Sequence, residues 1–121
     1  MELRDGEALR KYATPLEKLA SRDNHRLYLA IAHRALGVGH RLAGEHATAE
    51  TRLRQALELF TKLGARWQIG RTLFELGELN REQSQKETKA REYFAQALGS
   101  FEEIQAMPNA ERTRVALNAL E

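Results

Sequence analysis

Apolar residues at helical spacing occur twice along the chain, in the same order. Ala49, Leu53, Ala56, Leu57, Phe60 and Leu63 fall on one stripe, and Ala90, Phe94, Ala97, Leu98, Phe101 and Ile104 repeat it, each 41 residues later. A Leu-Gly pair precedes each stripe, Leu36-Gly37 and Leu76-Gly77. A fixed period near 40 residues, with two helical stripes per unit, marks a helical-hairpin array in which neighbouring elements bury one another's apolar faces. The pattern predicts an all-α chain of about six helices, packed as stacked antiparallel hairpins.

Taken in order, Ala8, Tyr12, Leu16 and Leu19 lie 41 residues before Ala49, Leu53, Leu57 and Phe60. Residues 6–21 therefore read as the second helix of a partial repeat. Pro15 interrupts this stripe, either as a kink within one helix, which the continuing apolar face favours, or as the first turn of a new helix capped by Thr14. Asp23 or Asn24 is placed to cap a helix over about 24–43, with Leu29, Ala32, His33, Leu36 and His40 on its inward stripe. Gly37 and Gly39 within it cost about 1 kcal/mol each in helix propensity, which calls for a close neighbouring helix. Gly44 and Gly64 stand where helices end.

Further helices are expected over 46–63, 66–82, 88–105 and 109–120. On their outer sides Glu50/Arg54 and Glu58/Lys62 form i,i+4 pairs. Trp67, Ile69, Leu73, Leu76 and Leu79 give the 66–82 segment its apolar face. Residues 81–89 form an apolar-free loop, and Met107-Pro108-Asn109 makes a corner. Arg112-Thr113 and Leu117 repeat Arg71-Thr72 and Leu76 at 41 residues. One repeat thus spans 24–63 and another 66–105, followed by a terminal helix. This phasing, half a unit at each end, suits a piece of a longer array or a short array closed by single helices.

Composition narrows the function. The chain has 121 residues, 42% of them apolar and 30% charged, with a net charge of +2. An excess that small gives no reason to expect nucleic acid as a partner. There is no cysteine, which removes disulfides, thiolate metal sites and thiol nucleophiles together and fits a cytoplasmic, reducing setting. The longest apolar run, Leu27 to Ala32, is too short for a membrane span, and the first five residues show no apolar segment of a secretory signal.

The repeat resembles the tetratricopeptide repeat. That family's hairpin carries an aromatic, Leu-Gly and another aromatic on its first helix, then Ala, an aromatic and Ala on its second. Here those places fall to His33, Leu36-Gly37, His40, Ala49, Leu53 and Ala56, and again to Leu73, Leu76-Gly77, Asn80, Ala90, Phe94 and Ala97. The family's usual terminal proline is missing, and the period is 40–41 residues rather than the usual 34. The longer period and the Leu-Gly-Ala-Arg-Trp corner at Leu63 to Trp67 resemble arrays in large bacterial signalling proteins and transcription regulators. The resemblance implies a right-handed α-solenoid whose first helices line a concave, partner-binding face. Counted from the Leu-Gly pairs, that face would carry Ile31, Arg34, Val38 and Arg41, then Arg71, Phe74, Glu78 and Arg81. Each set follows i, i+3, i+7, i+10, one side of a helix. Arginine offers a fork of donors that fits carboxylates, so an acidic peptide with a bulky apolar residue is the partner these types suit. Members that bind chaperone tails use a Lys and Asn clamp; Arg34 takes the Lys place but Val38 stands where Asn is expected, so that ligand is not supported.

Catalytic chemistry has little to work with. No phosphate-binding Gly-x-x-x-x-Gly-Lys-Ser/Thr loop is present. His25, His33, His40 and His46 lack the i,i+4 spacing of a helical metal pair, and the repeat alignment puts His33 and His40 at packing positions. Glu50, Glu58, Glu87 and Glu102 fall on outward faces, where nothing shifts a carboxyl into a catalytic range. Trp67 is placed to pack the corner between hairpins, or to anchor a partner. The chain reads as a non-enzymatic protein-interaction module without catalytic residue, metal or cofactor. The alternative is self-association, as a homodimer, through terminal helices carrying Leu3, Leu16 and Leu19 at one end and Val115, Leu117 and Leu120 at the other.

Overall fold

Five helices joined by short corners make up residues 25–120, the part of the chain that the computed structural model describes. They are α1 (Arg26–Leu42), α2 (His46–Leu63), α3 (Arg66–Arg81), α4 (Glu87–Glu103) and α5 (Met107–Asn118). No strand occurs among the described residues. The helix expected over 6–21, with its Pro15 alternatives, and the Asp23 and Asn24 caps lie outside them.

The chain divides after Leu63 into two compact units. In the first, α1 packs on α2; in the second, α3 packs on α4 and α4 on α5. The repeated stripe forms the core of both. Ala49, Leu53, Ala56 and Phe60 are buried on α2, and Ala90, Phe94, Ala97 and Phe101 are buried on α4. The remaining members, Leu57, Leu63, Leu98 and Ile104, are partly or largely exposed, because they sit at the margin of the buried stripe.

The Leu-Gly pairs show what seats the hairpins. A Cβ added at Gly37 would come 2.7 Å from Leu53 Cγ, and one at Gly77 would come 2.6 Å from Phe94 Cε1. Gly37 and Gly77 are 40 residues apart, and Leu53 and Phe94 are 41 apart. The same contact is therefore built twice, with a leucine seated on the first glycine and a phenyl ring on the second. A further ring, Phe101, lies over Gly70, 2.8 Å from where its Cβ would be. In the first unit the matching pair is Ala30 and Phe60, both fully buried.

The corners repeat as well. His25, Ala65 and Ala106 precede α1, α3 and α5 with nearly the same backbone, φ −86, −81 and −82°. None of them caps its helix with a side chain; their carbonyls accept from Leu29, Ile69 and Ala110 at 2.9–3.0 Å instead. In the connections between helices the left-handed position falls on Gly44, Gly64, Gln85 and Gln105, at φ 79, 65, 63 and 59°. Gln85 and Gln105 stand 41 residues after Gly44 and Gly64; Gln105 closes the end of α4 with a residue type that disfavours this backbone, whereas Gln85 lies four residues past Arg81, just before α4. The Glu45 N–H donates to the His40 carbonyl at 2.9 Å and the Ala106 N–H to the Phe101 carbonyl at 2.8 Å. That bond, from the third residue past the helix to a carbonyl five back, closes the ends of α1 and α4 alike.

Ion pairs lie on the outside. Glu50–Arg54 and Glu58–Lys62 close at 3.1 and 3.2 Å. Arg114 reaches Glu102 on α4 at 2.6 Å and Glu111 on its own helix at 3.1 Å, while Arg66 pairs with Glu103. Hydrogen bonds with Glu102, and then Glu111, hold the Arg114 guanidinium above even its ordinary high pKa.

Candidate functional site: the first-helix faces

The eight candidate residues fall on two helices, one in each unit. Ile31, Arg34, Val38 and Arg41 follow one another along α1 and are all half-buried. Arg71, Phe74 and Glu78 on α3 are half-buried too, and Arg81 is exposed. This intermediate exposure is what a helix face bordering a core offers to a partner: side chains held by packing, with part of their surface still in water.

On α1 Arg34 is anchored by the hairpin. The Arg34 guanidinium lies over the Phe60 ring, 5.1 Å from its centroid, a cation–π contact of about 0.5–2 kcal/mol. From α2, Arg52 Nη1 donates to His33 Nδ1 at 2.9 Å. His33 therefore carries its hydrogen on the other ring nitrogen. His40 Nδ1 donates to the Glu45 carboxylate at 2.7 Å, tying the end of α1 to its corner, and His25 lies against Tyr28 with ring centroids 5.7 Å apart.

On α3 the charges are matched within the helix. Arg71 lies 3.5 Å from Glu75, whose side chain is 8% exposed, and Arg81 bonds Glu78 at 2.9 Å. Phe74 is not the open anchor its place in the sequence implies. Its ring meets Phe94 edge-on, 5.3 Å between centroids at 63°, and it packs with Leu117 and Leu120 against the buried Ala90, Phe94 and Ala116. Only the part of its surface left by these neighbours can meet a partner.

Two polar groups in this region stand apart from the sequence pattern. Glu75 is buried, although its position four residues after Arg71 is a legible ion-pair signal. Asn80 is fully buried: its amide nitrogen donates to the Leu76 carbonyl at 2.8 Å, and its Oδ1 has no hydrogen-bond partner among the described residues. The repeat alignment puts Asn80 at a packing place, but the residue type does not say whether its oxygen finds a donor. Trp67 departs from the packing role its position predicts. It is 42% exposed, and its indole N–H reaches Asn109 Oδ1 at 3.4 Å.

The outward carboxylates are where the pattern puts them: Glu58, Glu87 and Glu102 are exposed and Glu50 is half-buried. Of the residues offered for self-association, Val115 is 59% exposed, but Leu117 and Leu120 turn toward the α4 core; Leu3, Leu16 and Leu19 lie outside the described residues.

No curated protein and no solved structure matches the chain. A family model described as tetratricopeptide repeat matches residues 28–103, from the first turn of α1 to the last residue of α4. The glycine-seated hairpins and this match lead to one conclusion: the chain belongs to the tetratricopeptide repeat family.

Proposed function

We propose that the chain is a protein-interaction module that binds a peptide or protein segment along its first-helix faces, with Ile31, Arg34, Val38 and Arg41 on α1 and Arg71, Phe74, Glu78 and Arg81 on α3 as contacts. Members of this family generally mediate protein–protein interaction. The observation that carries the site is the half-buried run of mixed arginine and apolar side chains on α1 and α3. The partner it suits is acidic with a bulky apolar residue. The guanidinium of Arg34 is pre-oriented by Phe60, and a held fork loses less entropy on meeting a carboxylate. The exposed Arg81–Glu78 pair is worth only about 0.3–0.5 kcal/mol, which a partner's carboxylate can offset. The 40–41-residue period and the Leu63 to Trp67 corner support placing the module in a bacterial signalling or transcription-regulator protein, as its regulatory or sensing segment in the cytoplasm. Among the described residues no helix is long and apolar enough to cross a membrane.

The geometry selects the test. Reversing charge at Arg34 would uncover Phe60, and reversal at Arg71 would set two carboxylates side by side next to the core. Arg81 is the cleaner probe, since its side chain is 41% exposed. A displayed peptide library selected on the whole chain is expected to enrich acidic segments holding one large apolar residue. Arg81→Glu and Val38→Asp are each expected to weaken the enriched peptide about tenfold or more, equivalent to roughly 1.4 kcal/mol. Their thermal midpoints should stay within a few degrees of the parent. Binding that survives both changes, or a selection that enriches basic segments, overturns the proposal.

A further inference from the structure

We draw no further inference here: the strongest candidate, the exposed apolar corner of Trp67 and Met107 where α3 and α5 begin, carries nothing, because nothing in the structure shows what covers it.

Discussion

Two glycines on neighbouring helices should respond to the same substitution with opposite signs. Gly77 faces the Phe94 ring, and that ring is fully buried. A methyl at Gly77 must push a side chain that has nowhere to go, so Gly77→Ala is expected to cost about 1–3 kcal/mol. Gly99, four residues before the end of α4, would meet nothing within 4 Å. There alanine removes only backbone freedom from the unfolded chain, and Gly99→Ala should stabilise by about 0.5–1 kcal/mol. Urea melts of the two variants check both signs. Asn80 gives a third residue-scale expectation. Its unpartnered Oδ1 is desolvated for no return, and the Leu76 carbonyl that its amide meets belongs to the same helix. Asn80→Leu keeps the volume and removes the orphan, so its stability should equal or exceed the parent's by up to about 1 kcal/mol. A loss above about 1 kcal/mol would mean that the oxygen has a partner in solution. The Leu-Gly pairs are legible in the sequence because a glycine inside a strong helical stripe demands a close neighbour. The fate of Asn80 is not, since an asparagine at a packing position reads the same whether or not its oxygen finds a donor.

At the scale of elements, the helices are set by their stripes and their ends by backbone geometry. The expected 46–63 segment is α2, and α3 and α4 end one and two residues earlier than expected; helix ends fray at this level. The corners explain why α4 stops where it does. Gln105 must take φ 59° to close the turn, a conformation that costs a side chain with a Cβ about 1–2 kcal/mol. Glycine there gives the unfolded chain more backbone entropy to lose on folding but removes that strain. Gln105→Gly should raise the midpoint of thermal unfolding by a few degrees, measured by circular dichroism at 222 nm. A lower midpoint would show that the glutamine side chain holds the corner. The last helix also differs in kind from the one it repeats. Gly70 and Gly77 on α3, which receive the rings of Phe101 and Phe94, are matched 41 residues later by Glu111 and Asn118, both exposed. On α5 those positions offer no seat for a ring, and the helix instead turns Ala116, Leu117 and Leu120 toward α4.

Across the whole chain, one period organises equivalent contacts in two units. Leu53 and Phe94 hold the same place against Gly37 and Gly77 and are both fully buried. Leu53→Ala and Phe94→Ala should therefore each cost about 2–5 kcal/mol, with the larger loss at the phenyl ring because it leaves the larger void. Denaturant melts decide this: a cost under 1 kcal/mol at either position would contradict the equivalence.

Periodicity by itself determined that the described residues are helical, to within about two residues where their five helices run, which face of α2 and α4 is buried, and that Gly37 must be touched; it did not announce the ring over Gly70. It could do so because those properties depend on residues three, four and seven apart, and on one contact that recurs at a fixed distance along the chain. The sequence also placed the eight candidate contacts on two helix faces. It could not say how open those faces are. Phe74 looks like a free anchor until the Phe94 ring and α5 close over part of it. Trp67 looks like corner packing until the corner leaves it 42% exposed. Arg34 looks like a free charge until Phe60 is found beneath it. The left-handed backbone at Gln85 and Gln105 carries no signal in the residue type, because glutamine, unlike glycine, disfavours it. Exposure, strain and pairing are settled by what lies across the packing interface, and only the tertiary structure brings those residues together.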